Sequence, residues 1–529
     1  MKYGAFISVF VFASLLGVGC SQLQHAGAGP GDEGWRTYGH DYGEQRFSPL
    51  SQISTANVAD LAPVYVFHTG VVGSFETSPI VADGVMYVTT AYDGLFAIDA
   101  TTGHLRWKRD RLRGYFRQCC GPVNRGVAIW KNLVLLGQLD GNVLALDRKN
   151  GSVRWSTRVA DNAQGYSITM APLVYRDLVI VGVGGGDLGI RGALIALSVR
   201  NGKVRWRWFA TDPQHWFGPS KKLRTDTGYL QGGAATAARV KFAMSWKRGG
   251  GGIWTTPAFD PARDTLYLTT GNPWPDLDGT ERPGDNLFTD CIVALNASTG
   301  RMRWYFQEVP HDTMDLDAAS PPVLFQTVDS QGRRVDAVGE IGKTGLFYVL
   351  DRDSGKLIRG STDVSSIKLP HDAQNGWTGG ASWSPMSYDP NRGLVIVTAT
   401  RHLAPGAGKR RAGLDELVAE WRVIYSTVSA VNVTTGAIVW QDEFDGGLVG
   451  GTVSTAGGIT FVGEGNGYFD ALDTQTGARL WHFQTGAGVN APPIIFAIDG
   501  REYVAVASGG NQQLGTPRGD SLYVFSLPK

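Results

Sequence analysis

The chain has 529 residues, with 49 Lys and Arg against 48 Asp and Glu and a formal net charge of +1. That balance excludes a polycation that grips nucleic acid and an acidic disordered tail, and no concentrated basic face with interleaved aromatics suggests a nucleic-acid partner. The 71 glycines and 16 tryptophans point instead to a folded chain of many turns and large apolar contacts.

Met1-Lys2-Tyr3, the apolar run Ala5 to Leu16 and the small residues before Cys20 form the basic start, greasy core and cleavage zone of an export signal over residues 1–20. The run is too short for a dependable membrane span. Cys20 resembles the acceptor cysteine of bacterial lipoproteins, with Gly17 where a leucine is expected and Leu16 one place early. Lipidation of Cys20 and ordinary cleavage within Ala26 to Gly31 both remain open. Either route leads to the periplasm, with outer-membrane anchoring through Cys20 in the first case. Residues 21–34 read as a flexible linker, and 35–529 as one domain.

Cys119 and Cys120 are adjacent. A bond between them would enclose a single peptide, whose Cα atoms are about 3.8 Å apart when trans, whereas ordinary disulfides span about 4.4–6.8 Å. Such a ring braces no distant segments and suits the wall of a site. Two separate thiols are the alternative. An oxidising compartment favours the bond and leaves Cys291 as a buried thiol. No Cys-x-x-Cys-His occurs, which excludes a covalently attached haem.

One phrase recurs seven times along the chain. It appears as Ala97-Ile-Asp-Ala-Thr-Thr-Gly103 to Trp107, as Ala145 to Gly151 and Trp155, as Ala196 to Gly202 and Trp206, and as Ala294 to Gly300 and Trp304. Val349 to Gly355 follows without the tryptophan, then Ala430 to Gly436 and Trp440, and Ala471 to Gly477 and Trp481. Each copy reads as a strand, an Asx-type turn with a left-handed glycine, and a second strand ending on a large aromatic. Alternating phrases such as Gly84-Val-Met-Tyr-Val-Thr-Thr90 supply further strands, so units of about four strands make an all-β propeller. The glycine spacings are 48, 51, 98, 55, 81 and 41 residues, which places insertions in the third and fifth intervals. An eighth blade forms if the C-terminal strand Ser521 to Leu527 pairs with the early strand Val64 to Thr69, removing the open edge. Eight blades are expected, and seven is the alternative.

Trp35-Arg-Thr-Tyr-Gly-His-Asp-Tyr-Gly-Glu-Gln-Arg-Phe-Ser-Pro-Leu50 resembles the opening of the quinoprotein alcohol dehydrogenases, eight-bladed propellers that hold pyrroloquinoline quinone (PQQ) and a metal ion in a central funnel. The resemblance covers nearly the whole mature chain. It implies a Cys119–Cys120 disulfide against one face of the quinone and Arg125 on a cofactor carboxylate, a task suited to a planar fork of donors. It further implies Glu76 and Thr169 as hydrogen-bonding cofactor ligands, Gly185 and Gly186 beside the cofactor, and Trp254 stacked on the opposite quinone face.

The same resemblance implies Asp187, Asn272, Asp315 and Asp317 as metal ligands, hard oxygen donors suited to calcium or a lanthanide. Asp187 stands where methanol-oxidising members carry glutamate, so its shorter side chain alters the coordination. Asp315 in Pro310-His-Asp-Thr-Met-Asp-Leu-Asp317 takes the place of the general base, and an ionised, low-pKa carboxylate is expected there unless it is desolvated. Asp317 matches the extra acidic ligand of lanthanide-using relatives, and some calcium-using sugar dehydrogenases carry it too. Lys343 matches the basic residue that hydrogen-bonds the quinone oxygens. His311 and Asp312 are read as loop-fixing residues. Ser382 before Trp383, and Asp445-Gly-Gly-Leu-Val449, depart from the usual pattern and imply a roomier or more polar pocket.

The expected activity is oxidation of an alcohol to an aldehyde or ketone, with electrons leaving to a periplasmic cytochrome c or another acceptor. The alternatives are a PQQ-dependent sugar or polyol dehydrogenase and a non-catalytic scaffold propeller of the outer-membrane assembly lipoprotein type. The basic loop Arg401 to Arg411 is a solvated loop or a surface for an acidic partner. The insertion at 211–250 carries Lys221-Lys-Leu-Arg224 and has no assigned role.

Overall fold

The computed structural model describes residues 33–114, 116–364, 380–402 and 423–529. The signal segment, Cys20, the linker up to Asp32 and the basic loop beyond His402 lie outside the described residues. Eight antiparallel sheets of four strands each succeed one another along the chain, and the seventh gains a short fifth strand, Phe47–Ser48, paired parallel to Thr452–Thr455. They begin at Ile80–Ala82, Ala128–Trp130, Leu173–Tyr175, Ala258–Asp260, Val323–Val328, Ser387–Asp389, Thr452–Thr455 and Ile494–Ile498, and these blades are numbered one to eight in that order. Blade eight takes its fourth strand from the N-terminal side, where Ala62–His68 pairs antiparallel with Ser521–Ser526. The ring therefore closes with strands from both ends of the chain in one sheet, and the blades keep only short outer edges. Among the described residues no helix is long and apolar enough to cross a membrane.

The repeat phrase forms the turn between third and fourth strands. Its Asp or Asn accepts from the backbone two residues on, as in Lys149 N to Asp147 Oδ1 at 2.8 Å and Gln475 N to Asp473 Oδ1 at 2.8 Å. The glycines lie at φ from +68° to +81°, the left-handed region. They have a second reason to lack a side chain. A Cβ on Gly151, Gly202, Gly300, Gly355 or Gly477 would come within 2.5–2.7 Å of the tryptophan ring of the preceding blade.

Each of those rings also donates its indole N–H to a backbone carbonyl of the next blade: Trp107 to Arg148 at 2.8 Å, Trp155 to Val199 at 2.9 Å, Trp206 to Ala297 at 3.0 Å, Trp304 to Arg352 at 2.9 Å and Trp440 to Thr474 at 3.0 Å. Trp481 reaches Leu61 at 3.0 Å, across the closure. One such bond contributes about 1 kcal/mol net, and covering a large ring contributes about 2 kcal/mol more. Two joints lack tryptophan. Tyr65 lies against Gly103 and donates to Ala100 O at 3.0 Å. Arg359 lies against Gly436 and binds Thr434 O and, at 2.6 Å, Val328 O.

Residues 35–48 close one end of the central channel. Val81 N donates to Trp35 O, Phe259 N to Tyr42 O, Leu324 N to Gly43 O, Tyr388 N to Gln45 O and Ser454 N to Arg46 O, each at 2.6–3.0 Å. Tyr42 Oη binds Val174 O at 3.1 Å, and the fully buried Arg46 binds Pro493 O at 2.6 Å. The strap thus satisfies first-strand backbone groups in six of the eight blades and a carbonyl just before the first strand of blade eight, groups that would otherwise line the channel unpaired. An antiparallel blade places its third-to-fourth-strand turn at this end. The second-to-third-strand loops and the connections between blades emerge at the other, where the long insertions fall.

Gly300→Ala places a methyl at φ +69° and 2.6 Å from the Trp206 ring. A loss of about 1–3 kcal/mol is expected in urea unfolding, the range for a strained left-handed residue, while the far end of the channel keeps its ligand affinity.

Candidate active site

The open end of the channel forms a cavity lined by loops from blades one to seven and by the loop before the last strand. Cys119 and Cys120 form a vicinal disulfide across a peptide whose Cα atoms are 3.8 Å apart, and both line the cavity, as does Trp254. Trp254 is held edge-on among glycines: a Cβ on Gly271 would come within 2.5 Å of its ring and one on Gly252 within 3.2 Å. Gly185 and Gly186 line the same space, and Gly185, at φ +103°, has no room for a Cβ, which would strike Gly165 O at 2.1 Å. Cys120 Sγ is 3.9 Å from Asp187 Oδ2. The sulfurs are consumed in the disulfide, so the grouping of Cys119, Cys120 and Asp187 is packing of the ring against a carboxylate, not a thiolate metal site.

Arg125, expected to meet a cofactor carboxylate, pairs with Glu76 at 2.7 Å and donates to Thr169 Oγ1 at 3.1 Å. Asn511 donates to the other Glu76 oxygen at 2.6 Å. Burial pushes the Glu76 carboxyl up, and Arg125 opposes that rise. Glu76, Thr169 and Arg125 therefore form one preassembled polar wall.

The opposite wall is acidic. Lys343 Nζ binds Asp315 Oδ1 at 2.7 Å and Asp317 Oδ2 at 2.5 Å, and Asp187 and Asp276 line the same cavity. Burial works to lower the Lys343 ammonium, but Asp315 and Asp317 outweigh it and the net shift is upward. Asp187 is pushed up to about 6 by burial and then by Asp317. Burial also drives Asp315 well above the usual carboxylate range, against the pull of Lys343. The expectation of a low-pKa Asp315 is thus corrected: desolvation and three neighbouring carboxylates outweigh one ammonium. Asn272 is buried behind this wall, its backbone N–H on Asp317 Oδ1 at 2.7 Å and its carboxamide against Asp276. His311 and Asp312 fix the loop as expected. His311 bridges Gly284 O and Asp226 at 2.9 Å each, and Asp312 accepts from Met314 N at 2.8 Å and Leu316 N at 2.7 Å. Cys291 is a buried free thiol.

The donor set suits a flat, polar, anionic cofactor with a cation. Several buried atoms of cavity residues have no hydrogen-bond partner: Arg125 Nε, Trp383 Nε1, Gln118 Oε1, Gln513 Oε1, Asp276 Oδ1, and Glu76 Oε2 apart from its ion pair with Arg125. Unmatched buried atoms call for a partner such as an ordered water, an ion or a ligand, and a cavity wall is where a ligand can supply it. Ser382, Trp383 and Val449, the positions where the sequence departs from the usual pattern, line the cavity too. Gln118, Asp276, Gln513 and Leu514 were not singled out from sequence. Gln118 adjoins the cysteine pair, which was a usable signal, whereas the others fall in loops outside every repeat.

Fold and cavity define the class: a propeller dehydrogenase with a funnel site for a planar redox cofactor. The profile described as glucose/ethanol/alcohol dehydrogenase, β-propeller domain, matches residues 35–371, and that of the outer membrane protein assembly factor BamB matches 425–520. The chain is 32% identical over 537 residues to the quinoprotein alcohol dehydrogenase PedH of Pseudomonas putida, covering 92% of this chain and 89% of that one. Among solved structures, the quinohemoprotein alcohol dehydrogenase from Comamonas testosteroni superposes with a TM-score of 0.78 at 29% identity, over 94% of this chain and 80% of that one. A europium-containing methanol dehydrogenase gives 0.77 at 26% identity, over 94% and 98%. The chain belongs to the PQQ-dependent quinoprotein alcohol dehydrogenase family, and it is an oxidoreductase acting on alcohols.

Carboxyl groups raised by burial hold protons in the folded apoprotein that the unfolded chain has already released. Across about pH 4 to 6 this lowers apoprotein stability as pH rises. A cation must displace the same protons, so its affinity should climb as pH rises through about 6, the Asp187 value. Calorimetric titrations of apoprotein with metal at pH 5.5 and 7.5 in two buffers measure this directly, and an affinity that is flat across the window contradicts it.

Proposed function

We propose that the funnel holds PQQ between the Cys119–Cys120 ring and Trp254, with Arg125, Glu76 and Thr169 on its polar edge and Gly185 and Gly186 beside it. A hard cation, calcium or a lanthanide, is held by Asp187, Asn272, Asp315 and Asp317. The observation that carries this reading is the convergence on one cavity of the vicinal ring, the indole and a buried cluster of carboxylates richer in charge than its single ammonium. When bound, the quinone supplies a two-electron acceptor and the cation a Lewis acid.

Asp315 takes the hydroxyl proton of the substrate alcohol as the carbon gives up its hydride equivalent, so the alcohol loses two electrons and two protons and leaves as an aldehyde or ketone. Lys343, 2.7 Å from Asp315, favours its ionised form and offers a positive charge to the oxygens that become electron-rich during reduction. With no haem motif in the chain, electrons pass to a separate carrier such as a cytochrome c. The protein works in the periplasm, and Cys20 is the candidate lipid anchor. Labelling with palmitate that is lost in Cys20→Ser supports the anchor, and soluble, unlabelled wild type removes it.

The test is reconstitution with PQQ and either calcium or a light lanthanide, following dye reduction with a panel of alcohols and aldoses. Asp315→Asn is expected to reduce kcat by about 10²–10⁴-fold, the usual contribution of a positioned base, while PQQ is still retained. Cys119→Ser combined with Cys120→Ser is expected to weaken PQQ retention. No metal-dependent dye reduction with any substrate would sink the reading.

A further inference from the structure

We infer that Asp276 is a further ligand of the cation, and that the site it completes takes a trivalent lanthanide-type ion in preference to calcium. The inference rests on the proposed reading of the funnel. Asp276 lies in the loop between the second and third strands of blade four, four residues after Asn272, and lines the cavity together with Asp187, Asp315 and Asp317. Its Oδ1 is shut off from solvent and has no hydrogen-bond partner. The side chains that bear on it are the Asn272 carboxamide, the charges of Asp187, Asp315, Asp317 and Lys343 in the same wall, and Arg282 behind it.

Arg282 is close enough to feel the Asp276 charge but forms no ion pair with it among the described residues. Arg282 spends its guanidinium on Pro275 O at 2.7 Å and 3.1 Å, on Asn286 Oδ1 at 2.8 Å and on Asp312 O at 2.5 Å. That grip on the preceding carbonyl fixes the backbone at Asp276. Trp274, on the other side, is clamped by Arg248 stacked at 4.0 Å. The carboxylate is thus held in the cavity wall with one oxygen unmatched, the condition of a ligand lacking its ion.

Charge decides which ion. Four carboxylates face one ammonium, and Lys343 is engaged by Asp315 and Asp317, while neither Asp187 nor Asp276 has an ion-pair partner among the described residues. A divalent ion leaves one buried negative charge without compensation, and a trivalent ion leaves none. Uncompensated buried charge is costly, so the surplus favours the higher valence.

The experiment is titration of the apoprotein with Tb³⁺, read by luminescence sensitised by tryptophan, and competition with Ca²⁺. Wild type should bind Tb³⁺ more tightly than Ca²⁺. Asp276→Asn should lose at least about 10-fold in Tb³⁺ affinity, the lower bound for disturbing a metal shell, with a smaller change for Ca²⁺, and Asp276→Glu should recover most of the loss. Asp276→Ser replaces Asp276→Asn if the latter fails to fold by thermal melting. Tb³⁺ affinity in Asp276→Asn within twofold of wild type, or tighter Ca²⁺ than Tb³⁺ binding by wild type, overturns the inference. PQQ binding, followed separately by absorbance, tests the cofactor reading without affecting the metal result.

Discussion

The indole stacked on a left-handed glycine is the joint on which this ring depends. A four-stranded blade buries its two faces only against its neighbours, so a propeller is stable only when each blade is held at a fixed angle to the next. Here a ring from one blade lies flat on the turn of the following one, where the glycine has no Cβ to push it away, and its N–H ends on a carbonyl of that turn. The same glycine permits the turn and receives the ring. Arg359 and Tyr65 show that the joint needs a flat group with a donor at its tip rather than tryptophan itself. Arginine meets both conditions through its planar guanidinium.

Fixing the blades fixes the charge. With the strap of residues 35–48 closing one end, the cavity at the other is a pocket with a floor, and carboxylates there cannot be solvated from below. Asp187, Asp276 and Asp315 are all held above the ordinary carboxylate range, with burial the first cause in each case. The preassembled wall of Arg125, Glu76 and Thr169 shows the opposite economy. Its charges are matched before any ligand arrives, leaving Arg125 Nε as the spare donor. One side of the funnel is therefore neutralised, and the other carries a surplus of carboxylates. The polarity needed for catalysis is built into the protein before the ligands are considered.

What the sequence makes legible follows from how local each signal is. Seven copies of one phrase reveal the blades, because turn, strand and docking ring all lie within eleven residues. The adjacent cysteines and the Asp-x-Asp loop are legible for the same reason. Arg359 and Tyr65 are not, since standing in for tryptophan is visible only across a blade junction. The strap reads as a motif of resemblance, but its role in tying first strands together involves partners hundreds of residues away. Asp276 is hidden in a loop rich in proline, glycine and aspartate, where an acid is more often a turn residue. The pKa of Asp315 could not be read either, because its direction depends on how many carboxylates converge and how much water is excluded.

The insertion of residues 211–250 gains a meaning from this geometry that its composition does not supply. Its Asp226 holds His311, four residues before Asp315, and its Arg248 covers Trp274, two residues before Asp276. Trp216, fully buried, bonds Ser245 Oγ at 2.7 Å, and Leu223, Ala235 and Ala238 give the insertion a small core of its own. Both loops of the acidic wall thus lean on one element that belongs to no blade. The blade phrase is repeated and interchangeable, so it cannot encode a single asymmetric site. An insertion anchored to both loops can, through contacts such as Asp226 with His311 and Gly279, Arg224 with Asp285, and Trp216 O with Leu287 N. The scaffold thereby supplies position, while the insertion fixes the loops that give the funnel its acidic side.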